Sequence, residues 1–350
     1  MKKYLYDIFA LMAATWLLTA CSSDDSQSQQ DDRVDFRMEI HGITRSGDDA
    51  EDDETVGYDD IHVFLKDQEG NESVGMFKYY HEDATAETAA VDYWLAHELK
   101  VKPGKRKFSL YGYMPDVTGL TGSMDYTDQK LTISGIEPMT KRDICVVTGV
   151  MRSEDVNAMP YRSLYEFDYV NTDYNDRTIL ILRLEHLLGR LAFEFKIGSK
   201  YSQLRKIVVT SLSIETETKS SISATVNLPK LKDDVITVDY TATGEVKTWK
   251  SVLLTTTDDP VTLSTEPTVV GERINVAVGG GLSDQYVLVS TYDVYDLQGH
   301  KLSSRTARNK LTDVMPVKSQ VKEVVLTIEP TYLYQLSDDD LNNPEVKINE

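Results

Sequence analysis

The feature that most constrains the fold is a strict alternation of apolar and polar residues that begins at Val34. Val34, Phe36, Met38 and Ile40 alternate with charged residues and end at His41, which is the period-two pattern of a strand with one buried face. Further short stretches rich in β-branched and aromatic residues follow, separated by polar turns. Strands that recur at intervals of about 8 to 12 residues are typical of a β-sandwich and not of a parallel α/β sheet. We therefore predict an all-β fold.

The same reasoning places the other strands. They are expected at residues 61–66, 73–80, 98–102, 107–113, 130–133, 143–150, 178–184, 191–197, 206–214, 221–227, 235–240, 248–255, 273–278, 285–296, 301–308 and 321–328. Residues 83–97 and 163–169 are each predicted to form short helical turns. Pro103-Gly104 and the segment from Asp296 to His300 are predicted to be hairpin turns, because these residue types favour the required backbone angles.

Composition divides the chain into four segments. Residues 1–20 form a predicted signal peptide, and residues 21–33, rich in Ser, Gln and Asp, form a tether too polar to bury a core. Residues 34–183 and 184–350 are each long enough for a core of their own. We predict that they form an N-terminal and a C-terminal β-sandwich domain.

The amino terminus carries a lipoprotein signal. Two lysines precede an apolar run, residues 8–18, which is shorter than the roughly 20 residues needed to span a bilayer. The run leads into Leu18-Thr19-Ala20-Cys21. We predict cleavage between Ala20 and Cys21 and lipidation of Cys21, because small residues leave room for a peptidase and a thiolate accepts the diacylglycerol. Two or three acyl chains would hold the protein on a membrane.

Charge and cysteine content narrow the possible partners. A formal net charge of −20 argues against binding to nucleic acid, since an acidic surface repels phosphate. The chain has two cysteines, and lipidation would consume Cys21, so we expect no intrachain disulfide. Cys145 lies in an apolar run, residues 144–147, and is predicted to be a small buried hydrophobe.

The common catalytic motifs are absent from the sequence. It has no His-Glu-x-x-His, no Gly-x-Ser-x-Gly, and no phosphate-loop lysine after the glycines at 279–281. The six histidines are scattered, so we predict no metal site, no cofactor and no enzymatic activity. The acidic runs at 48–54 and 338–340 lack the spacing of a dedicated calcium loop, and weak calcium binding there stays open. The second run also suits a helix start after Ser337.

Four local motifs resemble those of the fimbrillins. The stretch from Lys107 to Tyr113 resembles the aromatic strand of the first fimbrillin domain, and that from His186 to Phe193 resembles the strand that opens the second. Residues 328–334 and 336–341 resemble fimbrillin carboxyl ends. The acidic pair after the lipidated cysteine resembles the surface-export signal of some lipoproteins. The resemblance covers essentially the whole mature chain.

This resemblance implies two tandem Greek-key, transthyretin-like β-sandwich domains in a lipoprotein that forms or decorates pili of Gram-negative anaerobes. It implies that an arginine-specific surface protease removes the first strand, and that a strand from another fimbrial subunit fills the groove. The matching cleavage position is Arg45-Ser46. The removable strand would then carry the anchors Val34, Phe36, Met38 and Ile40. The expected role is a structural or accessory subunit of a fimbria that supports adhesion.

Two alternatives stay open at this point. The protein could be a monomeric surface lipoprotein that binds a glycan or a host protein through Tyr79, Tyr80, Tyr93 and Trp94. It could also be a fimbrial anchor that keeps its lipid, in which case Arg45 must stay uncut. The donated strand is also open, with 321–328, 332–336 and 346–349 as candidates.

Overall fold

The computed structural model describes residues 34–35, 38–45, 59–85, 88–102, 107–152, 164–169, 178–230, 235–255, 260–279, 282, 286–330 and 338–349. For residues 34–45 and 338–339 only the backbone is described. Nearly all of the regular structure is β-strand, which confirms the all-β prediction. Among these residues no helix is long and apolar enough to cross a membrane.

The first half of the described chain contains strands β1 to β13. Their bounds are β1 Val34–Asp35, β2 Met38–Arg45, β3 Ile61–Asp67, β4 Glu72–Glu82, β5 Val91–His97, β6 Lys100–Val101, β7 Lys107–Met114, β8 Thr121–Asp125, β9 Lys130–Ile136, β10 Met139–Thr140, β11 Cys145–Arg152, β12 Glu166–Asp168 and β13 Thr178–His186.

The second half contains β14 to β23 and one short helix. Their bounds are β14 Gly189–Ile197, β15 Lys206–Asn227, β16 Thr237–Leu254, β17 Val261–Thr262, β18 Thr268–Val269, β19 Ile274–Val276, β20 Val287–Tyr295, β21 Lys301–Lys310, β22 Val321–Glu329, α1 Asp338–Leu341 and β23 Glu345–Ile348. The start of α1 agrees with the helix expected in the second acidic run. Single 3₁₀ turns lie at Tyr201–Gln203 and Thr312–Val314.

Three larger sheets make up the fold. The first has the order β11-β13-β2-β5-β4-β3-β7-β12, and β7 also pairs with β11, so the sheet closes on itself. The second has the order β21-β20-β15-β9-β8, with β16 and β17 also on β15. The third has the order β10-β19-β14-β22-β23, with β18 on β14. A two-residue ladder joins β1 to β6.

Two hydrophobic cores lie between these sheets, and some strands contribute to both. On β11, Cys145 and Val147 belong to the smaller core, whereas Val146 and the preceding Ile144 belong to the larger one. A strand buried on both faces needs apolar residues at successive positions, not at alternate ones. This explains why residues 144–147 read as one apolar run.

Two strand pairs are parallel, and they have equivalent places in the chain. β2 pairs in parallel with β13, and β14 pairs in parallel with β22. Each pair brings together an early and a late strand of one half of the chain. The predicted boundary at residue 183 lies inside β13, and strands β8, β9 and β10, which precede it, pair among themselves or with strands that follow it. The division into two domains stays a prediction.

The helical turns predicted at 83–97 and 163–169 are wrong. Residues 91–97 form β5, which pairs with β4 along its whole length. The side chain of Trp94, in the middle of β5, is buried. Residues 166–168 form β12, whose Phe167 packs on Phe108 of β7. In both places the burial of an aromatic side chain in the sheet overrides the helical propensity of nearby residues.

Turn chemistry predicted one hairpin correctly and one wrongly. Asp296 to His300 joins β20 to β21, and Gly299 has a φ of 93°, which suits glycine. Residues 103–106 lie outside the described residues, but their flanking strands do not pair: β6 pairs with β1, and β7 with β3, β11 and β12. The two flanking strands, β6 and β7, therefore do not form the predicted hairpin.

The strands predicted at 206–214 and 221–227 are one strand, β15. The intervening residues are polar, yet Thr216 and Thr218 are buried, because every second residue of the ladder still faces the interior. The strands predicted at 235–240 and 248–255 merge in the same way into β16, which pairs with β15 from Leu212 to Asn227.

Candidate strand-exchange site

Strand β2 lies inside the first sheet and not at its edge. It runs parallel to β13 on one side and antiparallel to β5 on the other. β13 has β11 as its other neighbour, and β5 has β4. β2 therefore lies directly between β13 and β5, while the far sides of these two parts of the sheet are joined by the pairing of β7 with β11.

The register gives two of the predicted anchors their partners. Met38 lies opposite Thr178, and Ile40 lies opposite Leu180 on one side and Trp94 on the other. Leu180 and Trp94 are buried in the smaller core. The residues of β13 and β5 that lie opposite Ile40 are therefore apolar. An apolar environment suits a strand with alternating apolar residues, such as β2.

Strand β2 is longer than its sequence pattern indicated. The alternation stops at Gly42, but a register shift places Ile43 opposite Leu182, which is buried, and the pairing continues to Arg45. A bulge of this kind adds a residue to one strand and restores the alternation beyond it. The register position of Ile43 opposite Leu182 is therefore one that a strict period-two search cannot find.

The other predicted anchors differ in their positions. Val34 belongs to β1 and is paired with Val101 of β6, so the predicted continuous strand is divided between two sheets. Phe36 lies outside the described residues. Ala20, Cys21 and Ser46 also lie outside them, so the lipidation and signal-cleavage positions stay predictions.

Arg45 is the last residue of β2, opposite Leu184 of β13. A cut after Arg45 would separate the whole of β2 from the residues that follow, while a cut after Arg33 would leave β1 and β2 attached to them.

Strand β5, which borders β2, is held in place by polar contacts around the loop before β3. The Trp94 indole Nε1 donates to the Asp59 carbonyl oxygen at 2.9 Å. The Asp60 carboxylate accepts from the Tyr79 amide at 2.8 Å, and the Tyr79 hydroxyl donates to Asp92 at 2.6 Å. Asp92 also contacts His81 and, by hydrogen bonding, raises the pKa of that imidazole. These contacts fix β4 and β5 independently of β2.

The candidate donor strands at the carboxyl end are integrated in the fold. β22 lies between β14 and β23, and β23 pairs with β22 over four residues. The Tyr292 hydroxyl donates to the Pro344 carbonyl oxygen at 2.7 Å, and the Asn309 side-chain amide donates to the Val346 carbonyl oxygen at 2.9 Å. Residues 332–336 lie outside the described residues. Donation of 346–349 would require these contacts to break.

The four aromatic residues considered for ligand binding have different surroundings. Trp94 is buried and Tyr79 is hydrogen-bonded, so both serve the sheet. Tyr80 is 38% exposed and stacks on Tyr93 across β4 and β5, with ring centroids 5.6 Å apart. The Tyr93 hydroxyl donates to Glu82 at 2.8 Å.

One polar cluster was missed by sequence reasoning. Asp143, Cys145 and His186 converge between β11 and β13, although the histidines are scattered in the sequence. Cys145 is buried, as predicted, but it contacts a histidine in addition to apolar neighbours. No local spacing signals this cluster, because His186 follows Cys145 by 41 residues.

Comparisons with known proteins found solved structures of low similarity and no close relative. No protein-family model and no curated protein matches the chain. Among solved structures, a protein assigned to cell adhesion from Bacteroides uniformis is 14% identical, with a TM-score of 0.39, over 92% of this chain and 99% of that one. A fimbrial protein from Bacteroides vulgatus is 14% identical, with a TM-score of 0.33, over 88% and 98%.

A fimbrial anchor protein from Porphyromonas gingivalis is 10% identical, with a TM-score of 0.30, over 90% of this chain and 98% of that one. Because the identities and TM-scores are low, the likenesses assign neither the fold nor the function of this chain.

Proposed function

We propose that the protein is a structural or accessory subunit of a cell-surface fimbria that assembles by strand exchange. It would be exported as a lipoprotein precursor, lipidated at Cys21, to the outer membrane. A surface protease would cut between Arg45 and Ser46, and a strand of another subunit would replace β2. The role would be structural and adhesive, without enzymatic activity.

The position of β2 between β13 and β5 carries this proposal. Removal of β2 would leave the edges of β13 and β5 unpaired and facing each other. Leu180 lies on the first edge and Trp94 on the second. Such a gap accepts one strand, whose backbone bonds to both edges and whose alternate side chains enter the core. Two side chains at the positions of Met38 and Ile40 would contribute about 3 to 6 kcal/mol before ordering costs, at about 1.5 to 3 kcal/mol each.

The test uses the mature chain from residue 21 and a trypsin-like, arginine-specific protease. We expect a new amino terminus at Ser46 and a ladder of oligomers that resists mild denaturant. Arg45→Gln should stay uncut at position 45 and monomeric, while the control Arg33→Gln should assemble as the parent does. Protein that is cut after Arg45 and stays monomeric would exclude strand exchange by this route.

The anchor alternative predicts a different mature amino terminus. A fimbrial anchor must keep its acyl chains, so Arg45 would stay uncut and the protein on cells would begin at lipidated Cys21. Mass spectrometry of the amino-terminal peptide from cells separates this alternative from the polymerising subunit.

The exposed Tyr80–Tyr93 pair supports a second candidate function, binding of a glycan or host protein by a monomeric surface lipoprotein. Stacked aromatic rings beside a carboxylate suit a sugar ring and its hydroxyl groups. In that case Tyr80→Ala would abolish binding to a glycan array and leave the fold intact. Equal binding by Tyr80→Ala and the parent would remove this candidate.

A further inference from the structure

Three side chains with metal-ligating atoms converge between β11 and β13. The ligand atoms of Asp143, Cys145 and His186 all lie within 4.8 Å of one another. Cys145 and His186 are direct register partners in the antiparallel ladder, with Sγ and Nδ1 3.4 Å apart. A carboxylate oxygen of Asp143 contacts the same Nδ1 atom.

The arrangement does not match the proton relay of a nucleophilic triad. In a nucleophilic triad the base uses one ring nitrogen for the nucleophile and the other for the carboxylate. Here Cys145 and Asp143 both approach Nδ1 of His186, so one atom could not serve both roles. Three donor atoms that lie within 4.8 Å of one another are instead compatible with a shared bound ion.

The backbone around the cluster is fixed on both strands. The Leu187 amide donates to the Ile144 carbonyl at 2.8 Å, and the Ser319 hydroxyl donates to the His186 carbonyl at 2.6 Å. Cys145 is 1% exposed, whereas the side chain of His186 is 18% exposed. The cluster is therefore held rigidly, with its access to solvent on the histidine side.

Contacts around the cluster position the Asp143 carboxylate, and the charge of Arg190 reduces the net negative charge of the group. Arg190 Nη2 lies 3.2 Å from Asp143 Oδ2, and Arg190 Nε donates to Asn275 Oδ1 at 3.0 Å. With a thiolate, a carboxylate and one guanidinium, the group has a net charge of −1 before an ion binds. A divalent cation would change this to +1, so Arg190 weakens the site electrostatically but leaves it able to bind a dication.

We propose that Asp143, Cys145 and His186 bind a divalent transition-metal ion of the zinc type. One thiolate, one imidazole and one carboxylate form a borderline-soft set that suits Zn²⁺, with solvent as the fourth ligand. On binding, the Cys145 thiol releases its proton to solvent, and the His186 Nδ1 lone pair coordinates while the ring hydrogen resides on Nε2. No reaction is assigned to the ion.

Cobalt titration of the mature chain carrying Cys21→Ser tests the proposal, because Cys145 is then the only thiol. Saturation with Co²⁺ should produce a near-ultraviolet thiolate-to-cobalt charge-transfer band at one ion per chain, and Zn²⁺ should remove it. Binding should protect Cys145 from alkylation. The same chain without this band under saturating Co²⁺ would overturn the proposal, and this measurement needs no variant of the site.

Ligand variants give a second test. Cys145→Ser should abolish the band, and His186→Gln should weaken Zn²⁺ binding, measured with a competing chromophoric chelator, at least about tenfold. His62→Gln is the matched control, because His62 is 22% exposed and lies 3.2 Å from Asp116 without a thiol nearby. Equal loss in His62→Gln and His186→Gln would mean nonspecific histidine binding and would overturn the assignment. If Cys145→Ser does not fold, the parent's charge-transfer band and alkylation protection decide the question.

Discussion

Leu180 of β13 and Trp94 of β5 lie on opposite sides of the same residue, Ile40 of β2. Both side chains are buried in the smaller core, and β2 lies directly between their strands. The stability of this sheet therefore depends on a strand near the amino terminus of the described chain.

A peptide of residues 34–45 should bind in trans to a chain that begins at Ser46. The gap between β13 and β5 offers hydrogen-bonding edges on both sides, so the peptide should raise the thermal midpoint of the truncated chain. A peptide with Ile40→Asp should bind at least about tenfold more weakly, which corresponds to about 1.4 kcal/mol. Isothermal titration calorimetry measures both, and equal affinity of the two peptides would show that the register at Ile40 does not matter.

Truncation of Leu180 should destabilise the protein much more than truncation of its neighbour. Leu180 is fully buried, and Leu180→Ala should cost about 2 to 5 kcal/mol in the free energy of unfolding. Ile179, on the opposite face of β13, is half-buried, so Ile179→Ala is the matched control with a smaller loss. Urea unfolding followed by tryptophan fluorescence compares them. Equal losses would contradict the assigned faces of β13.

The buried ion pair between Asp143 and Arg190 should behave as a unit. Arg190→Met should cost about 3 to 5 kcal/mol, because it leaves a buried carboxylate without its guanidinium. The double variant Asp143→Asn with Arg190→Met should lose less than the sum of the two single losses. A double-mutant cycle by urea unfolding measures the coupling, and additive losses would mean that the pair contributes no net interaction.

Stability should depend on Glu215 at neutral but not at acidic pH. Its carboxylate accepts from Arg308 Nη2 at 2.7 Å and lies 3.1 Å from Lys250 Nζ. The hydrogen bond from Arg308 is the main cause that lowers the pKa of Glu215 below its usual 4.5. The resulting stability is present above the unfolded pKa and is lost as pH falls through the folded pKa.

Glu215→Gln should therefore cost about 0.3 to 1 kcal/mol at pH 7, the range of a solvent-screened pair. The cost should disappear once the pH lies below the folded pKa of Glu215. Glu217→Gln, at an exposed position of the same strand, is the control that should show no such difference. Thermal unfolding across the pH range tests this, and a loss that is independent of pH would show that charge is not its cause.

Sequence reasoning worked where the signal is local. The alternation at Met38 and Ile40 predicted the strand that lies between the buried walls, and the Asp and Gly residues after β20 predicted its hairpin. Sequence reasoning failed where contacts with distant parts of the chain determine the secondary structure. Residues 91–97 look helical because alanines precede them, yet Trp94 is buried in a sheet whose other strands lie elsewhere in the chain.

The sequence by itself determined which segments are strands and which face of most of them is buried, because a period of two is a property of consecutive residues. Only the tertiary structure decided which strands and residues are neighbours. It places β2 between β13 and β5, and it places Cys145 opposite His186. Strand pairing is long-range, and hydrophobic burial is non-directional, so an apolar pattern specifies that a residue is buried but not what it packs against.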